Sequence, residues 1–82
     1  MNNFEISTNP NTPSETLERL STDKNWGVRY RVARNPNTPP EALDRLSYDE
    51  CWYVRYWVAR HPNTPQYILD LNKFRNYLKH YK

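Results

Sequence analysis

Arginines set among tyrosines and tryptophans at a fixed interval are the residues of this 82-residue chain whose types and spacing could do chemistry. Tyr30, Arg31 and Arg34 are followed 26 residues later by Tyr56, Trp57 and Arg60, with Tyr53 one helical turn before Tyr56. A guanidinium is a planar fork of N–H donors suited to carboxylate or phosphate, and aromatic faces accept other rings, cations and apolar side chains. That is recognition chemistry. The ingredients of catalysis are not grouped in the same way. His61 and His80 have neither a metal set nor a triad around them, the single Gly forms no phosphate loop, and the carboxylates are spread singly. Cys51 is the one cysteine, which excludes a disulfide framework and a structural zinc or iron–sulfur site built on thiolates. The chain is therefore expected not to be an enzyme and to use no metal or cofactor.

The elements that must position these residues follow from an internal repeat. Asn9 to Arg34 and Asn35 to Arg60 align without a gap, and 18 of the 26 positions are identical. A third copy opens at His61 with HPNTPQYILDL and then loses the pattern. Run backwards, the register puts Phe4, Ile6 and Ser7 where Tyr30, Val32 and Ala33 lie in the next copy. Thr12-Pro13-Ser14-Glu15 and Thr38-Pro39-Pro40-Glu41 read as capping boxes that start a helix with Thr as N-cap. Leu17 and Leu20, then Leu43 and Leu46, supply an apolar edge for a helix ending near Ser21 and Ser47. A second helix is expected to begin around Asp23 and Asp49 and to run to Arg34 and Arg60, stopping before Asn-Pro or His-Pro. Two short helices per 26 residues, neither able to bury its edge alone, predict an all-α solenoid. The expected architecture is a short right-handed α-α superhelix of about two and a half repeats. A half-repeat covers 1–8, repeats cover 9–34 and 35–60, and a partial repeat with a C-terminal capping helix covers 61–82. In that last helix Tyr67, Leu71, Phe74, Leu78 and Tyr81 form the apolar stripe.

With its N-P-x-T-P opening, Leu-x-x-Leu edge and V-R-x-x-V-A close, the unit NPNTPPEALDRLSYDECWYVRYWVARH resembles the variant leucine-rich repeat family, all-helical relatives of HEAT and armadillo repeats. The resemblance covers Asn9 to about Leu71. It implies a scaffold for macromolecular interaction, in which an α-helix alternates with a shorter, often 3₁₀, helix. Some members carry a cysteine cluster for an iron–sulfur centre ahead of the repeats; this chain has none, so no redox role carries over. Similarity to HEAT units also implies an Asp and Arg ladder between repeats.

At about 100° per residue, Arg29 and Arg55 fall within the apolar arc of Val28, Val32 and Ala33, where a charge needs a partner. Asp23 and Asp49, six residues earlier, are the candidates. Trp26 and Trp52, on the shoulder of that arc, are expected in the core between repeats. Tyr30, Gly27, Arg31 and Arg34, and then Tyr56, Tyr53, Trp57 and Arg60, share the opposite arc. Gly27 and Arg31 become Tyr53 and Trp57 in the next copy, which reads as freedom from packing. This arc is the candidate binding site, with two readings open: an exposed gripping ridge, or aromatics packed on a neighbouring helix.

Tyr, Trp and Arg are the types enriched in interface hot spots, so the expected partner is another protein, held by an adaptor or inhibitor type of module. Nucleic acid, with Arg on phosphates and rings stacked on bases, is the alternative. The net charge of +3 is unevenly placed. Residues 1–70 hold eight Lys and Arg against nine acids, whereas 71–82 hold Lys73, Arg75, Lys79 and Lys82 and no acid. No stretch approaches the ~18 apolar residues of a membrane span and the start lacks a signal-peptide pattern, so the expected compartment is the cytoplasm. Phe4 and Ile6 offer a seam for a second copy of the chain.

Overall fold

A helix of two turns does not hold in water on its own local bonds, so each short helix here persists through the surface it packs on. The computed structural model describes residues 2–70. Helices α1 (Asn3–Thr8), α2 (Ser14–Leu20), α3 (Trp26–Arg34), α4 (Pro40–Leu46) and α5 (Trp52–Arg60) follow in order. Residues 66–70 open a further helix, and no strand occurs among the described residues. The described part of the chain is all-helical, and α4 and α5 repeat α2 and α3 at an offset of 26. Packing sets two layers: α3 lies between α1 and α5, while α2 lies against α4 and each rests on the longer helix that follows it. The body measures 46 by 22 by 15 Å. No helix among the described residues is long and apolar enough to cross a membrane. Of the apolar stripe expected for the capping helix, Tyr67 is 54% exposed and its neighbour Ile68 is the residue that enters the core; Leu71, Phe74, Leu78, Tyr81 and the basic residues lie outside the described residues.

The core is a column with the period of the sequence. Leu17 and Leu20 are matched by Leu43 and Leu46, and Val28 and Val32 by Val54 and Val58, all nearly inaccessible to solvent, with Ile68 closing the series. Burying each such side chain contributes roughly 1.5–3 kcal/mol. These are the leucine edge and the Val-x-x-x-Val edge expected from the spacing.

The proline corners work differently from the expected capping boxes. Helix α2 starts after Pro13 and α4 after Pro39, and neither cap residue makes a side-chain hydrogen bond. The threonines reach the other way. Thr12 Oγ1 donates to the Ile6 carbonyl at 2.6 Å and Thr38 Oγ1 to that of Val32 at 2.6 Å, and Thr64 repeats the contact on Val58. The donor that would close the next helical bond to Ile6, Val32 or Val58 belongs to Pro10, Pro36 or Pro62, which has no N–H. The Val32 and Val58 carbonyls take the Asn35 and His61 N–H instead, at 3.1 and 3.2 Å, and the hydroxyl two residues after the proline fills the acceptor position that the proline leaves open.

Helix α3 begins at Trp26 and α5 at Trp52, three residues beyond the expected starts. Asp23 accepts the Asn25 N–H at 2.8 Å and Asp49 accepts the Cys51 N–H at 2.9 Å, so each carboxylate folds the turn that precedes the cap. Asn25 then caps α3 through the Gly27 N–H. The shorter member of each pair is α-helical. Three-residue bonds appear where α2 unwinds, from the Thr22 N–H to Arg19 and from the Asp23 N–H to Leu20.

Candidate functional site

Successive copies of the longer helix lie side by side, so the arc that each carries becomes one continuous face. The structure brings Tyr30, Arg34, Tyr53, Tyr56, Trp57 and Arg60 together on it, with Arg31 at its α1 side. Tyr30 and Tyr53 stack at 5.0 Å with planes 17° apart, Tyr53 and Tyr56 stack at 6.4 Å, and Trp57 meets Tyr30, Tyr53 and Tyr56 edge-on. The arginines lie over the rings: Arg34 over Trp57 at 4.6 Å, Arg60 over Tyr56 at 4.4 Å and Arg31 over Phe4 at 5.0 Å. Arg34 also donates to the Tyr30 hydroxyl at 2.7 Å. The face is packed in part and exposed in part. Tyr30 and Trp57 pack against the core, and the Trp57 indole N–H is buried with no partner among the described residues. Tyr56 remains 41% exposed.

Trp26 and Trp52 overturn their expected place. They are 51% and 65% exposed and join the aromatic face, Trp26 against Tyr30 and Tyr53, Trp52 against Tyr53 and Tyr56. Each is the first residue of its helix. A residue there has no preceding turn to lie over, and an i, i+4 neighbour on its far side, Tyr30 or Tyr56, gives the indole a surface outside the core. Their recurrence one turn before a site tyrosine was the signal for them.

Nor is the difference between the copies a freedom from packing. Gly27 is buried, and a Cβ there would meet Phe4 Cε1 at 2.9 Å. Phe4 sits on Gly27 as Tyr30, one repeat on, sits on Tyr53. Where the ring settles on backbone the sequence has glycine, and where it stacks on another ring the sequence has tyrosine. The same compensation sets Arg31 on Phe4 and Trp57 on Tyr30. Ile6 packs on the core, and Phe4 lies between Gly27 and the Arg31 guanidinium while remaining partly exposed.

Two ladders hold the layer in register. Arg29 donates to both Asp49 oxygens, at 2.7 and 3.2 Å, with side chains 11% and 6% exposed. Within its own repeat Arg29 takes the backbone carbonyls of Asp23 and Lys24, at 2.7 and 3.0 Å, and Arg55 takes that of Asp49. The carboxylate partner therefore belongs to the next repeat, and the sequence separation of six concerns a carbonyl. One repeat upstream, Asn3 stands in the place of Arg29 and donates to Asp23 at 3.0 Å. The hydrogen bond to Asp49 holds the Arg29 pKa above its ordinary value against the opposing effect of burial. A raised cation stabilises the fold below its unfolded pKa and loses that contribution only as pH rises through the folded value, so the guanidinium stays charged throughout the usual range.

The second ladder is built from the corner asparagines. Asn35 is buried, donates through Nδ2 to the carbonyls of Ser7 and Asn9 at 2.9 Å each, and accepts the Asn37 N–H. His61 fills the same slot one repeat on. Its Nδ1 accepts the Asn63 N–H at 3.0 Å, so the proton is on Nε2, which donates to the Asn35 carbonyl at 2.6 Å. Turn chemistry accounts for the local half of these contacts, and the stacking of repeats adds the other half. Residues 26–50 match the leucine rich repeat variant family model. This stretch is similar to a leucine rich repeat variant unit. No curated protein and no solved structure matches the chain. The unit runs from the start of α3 through α4 to Glu50, a different frame of the same period from the one opened at Asn9, and it contains both partners of the Arg29–Asp49 rung. Leucine rich repeat variant units belong to a helical repeat family that generally serves protein interaction rather than catalysis. Among the described residues no group of His, Cys, Asp and Glu could hold a metal ion.

Proposed function

We propose that the chain is a small protein-interaction module. It is a right-handed superhelix with the repeat boundaries expected from its sequence, gripping a partner protein through Tyr30, Arg31, Arg34, Tyr53, Tyr56, Trp57 and Arg60 together with Trp26 and Trp52. The observation that carries this reading is the exposure of Trp26, Trp52 and Tyr56 on a layer of rings already stacked beneath them. Rings held in place lose little entropy on binding, and a contiguous aromatic patch of this kind is characteristic of a surface that another molecule covers. The half-buried Tyr30, Tyr53 and Trp57 form its base and the exposed rings its crest. Nucleic acid is the weaker reading, because residues 1–70 carry no excess of positive charge and three of the arginines are laid on rings.

The test is selection of peptides from a displayed random library on the full chain. Trp26→Ser and Trp52→Ser are each expected to weaken the selected peptides by at least ~30-fold, a hot-spot loss of about 2 kcal/mol, while stability changes by less than about 1 kcal/mol. Peptides whose binding ignores both changes would remove the ridge from the interface. Single-stranded DNA is expected to show no retention at about 50 mM salt; retention lost steeply by about 200 mM would transfer the function to nucleic acid.

A further inference from the structure

A cavity of about 350 Å³ opens beside the aromatic face, lined by Thr8, Tyr30, Arg31, Arg34, Asn35 and Pro36. From its geometry we infer that this cavity is a carboxylate site that takes an Asp or Glu side chain of the partner protein, an inference that rests on the interaction reading above. The cavity coincides with the place where the repeats differ. Shifted by one repeat, Thr8 becomes Arg34 and Arg31 becomes Trp57, and those two side chains are stacked on each other at 4.6 Å. At the first interface the small Thr8 stands in the place of the covering arginine, and the space above Arg31 is left open.

The lining is cationic and preorganised. No carboxylate among the described residues lies within 4 Å of Arg31 or Arg34, in contrast to Arg29 and Arg45, which have acidic partners. Arg31 gives one N–H to the Gly27 carbonyl at 3.0 Å and Arg34 one to the Tyr30 hydroxyl, out of the five N–H groups that each guanidinium has. Arg31 lies over Phe4 and Tyr30, and Arg34 over Tyr30 and Trp57, which fixes both planes before a ligand arrives. Two fixed forks of like charge on one cavity are relieved by an anion, and a carboxylate matches a fork with two parallel bonds. An acidic side chain next to an apolar or aromatic residue would thus place its carboxylate here and its neighbour toward Trp26, whose ring lies 6.1 Å from that of Tyr30.

The experiment follows the arginine Nε–H NMR signals of the full chain during titration with N-acetylglutamate amide. N-acetylglutamine amide at matched ionic strength is the neutral control. Saturable shifts of Arg31 and Arg34 are expected, with Arg60, which is stacked on Tyr56 away from the cavity, unmoved. Thr8→Arg, which copies the filling seen one repeat on, should abolish the shifts, and Arg31→Gln should abolish that of Arg34. Parallel movement of Arg60, no movement at all, or persistence of the shifts in Thr8→Arg would overturn the site. Saturation by inorganic phosphate at lower concentration would overturn its assignment to carboxylate. Trp52→Ser should leave the titration unchanged, so a failed peptide selection with a working titration would sink the interaction reading and leave the anion site standing. The reverse pair of results would remove the anion site alone.

Discussion

Asp49→Ala is expected to lower the stability of the domain by about 3 kcal/mol, the scale on which removing one partner of a largely buried ion pair acts. For a chain of this size that corresponds to a fall in melting temperature of roughly 10–20 °C. The alanine leaves Arg29, 11% exposed, without its bidentate acceptor and frees the Cys51 N–H that Asp49 folds back. Asp49→Asn keeps an acceptor for each and should cost about half as much. Asp23→Ala makes the internal comparison. Asp23 has the same place one repeat earlier, yet its inter-repeat partner is the neutral, exposed Asn3, so its loss should cost about 1 kcal/mol. Thermal or denaturant unfolding of the three variants decides the matter: equal losses for Asp23→Ala and Asp49→Ala would mean that the charged rung contributes nothing beyond the turn.

The second large effect is expected at Asn35. Its side chain satisfies the carbonyls of Ser7 and Asn9 and the N–H of Asn37, and Asn35→Ala strands all three, one of them fully buried, at about 1 kcal/mol each. A loss near 3 kcal/mol with an unchanged denaturant slope is the expected result. The companion changes test whether Asn and His are equivalents in this slot. His61→Asn should cost less than about 1 kcal/mol, because an asparagine offers one acceptor toward Asn63 and donors toward the preceding corner, whereas His61→Ala should cost about 2 kcal/mol by freeing the Asn35 carbonyl and the Asn63 N–H. An alanine as benign as asparagine at residue 61 would show that the ladder ends at Asn35.

What could be read ahead of the structure was whatever repeats at 26 residues and depends on neighbours within a turn or two. The leucine and valine edges, the stops before proline, the offset between copies and the resemblance to the variant leucine-rich repeat are of this kind. Helix starts were less legible. A threonine before proline has the pattern of a cap, and nothing local reveals that its hydroxyl serves a carbonyl six residues back whose helical donor is a proline. The site was legible as a set of residues but not as a layer. Helical spacing groups Tyr30 with Arg34 and Tyr56 with Arg60, whereas the stacking of Tyr30 on Tyr53 requires two helices side by side.

The arginine and tyrosine pattern with which the sequence is most conspicuous thus divides in two. By itself the sequence determined that these residues recur on one arc of one helix type, because periodicity along a chain is preserved in any helix that forms. Only the tertiary structure decided which rings are base and which are crest, that Trp26 and Trp52 belong outside the core, and that Asp49 answers an arginine of the preceding repeat. Those outcomes depend on the distance and register between helices, which are set by packing and by paired glycine, ring and asparagine contacts separated by twenty or more residues in the chain.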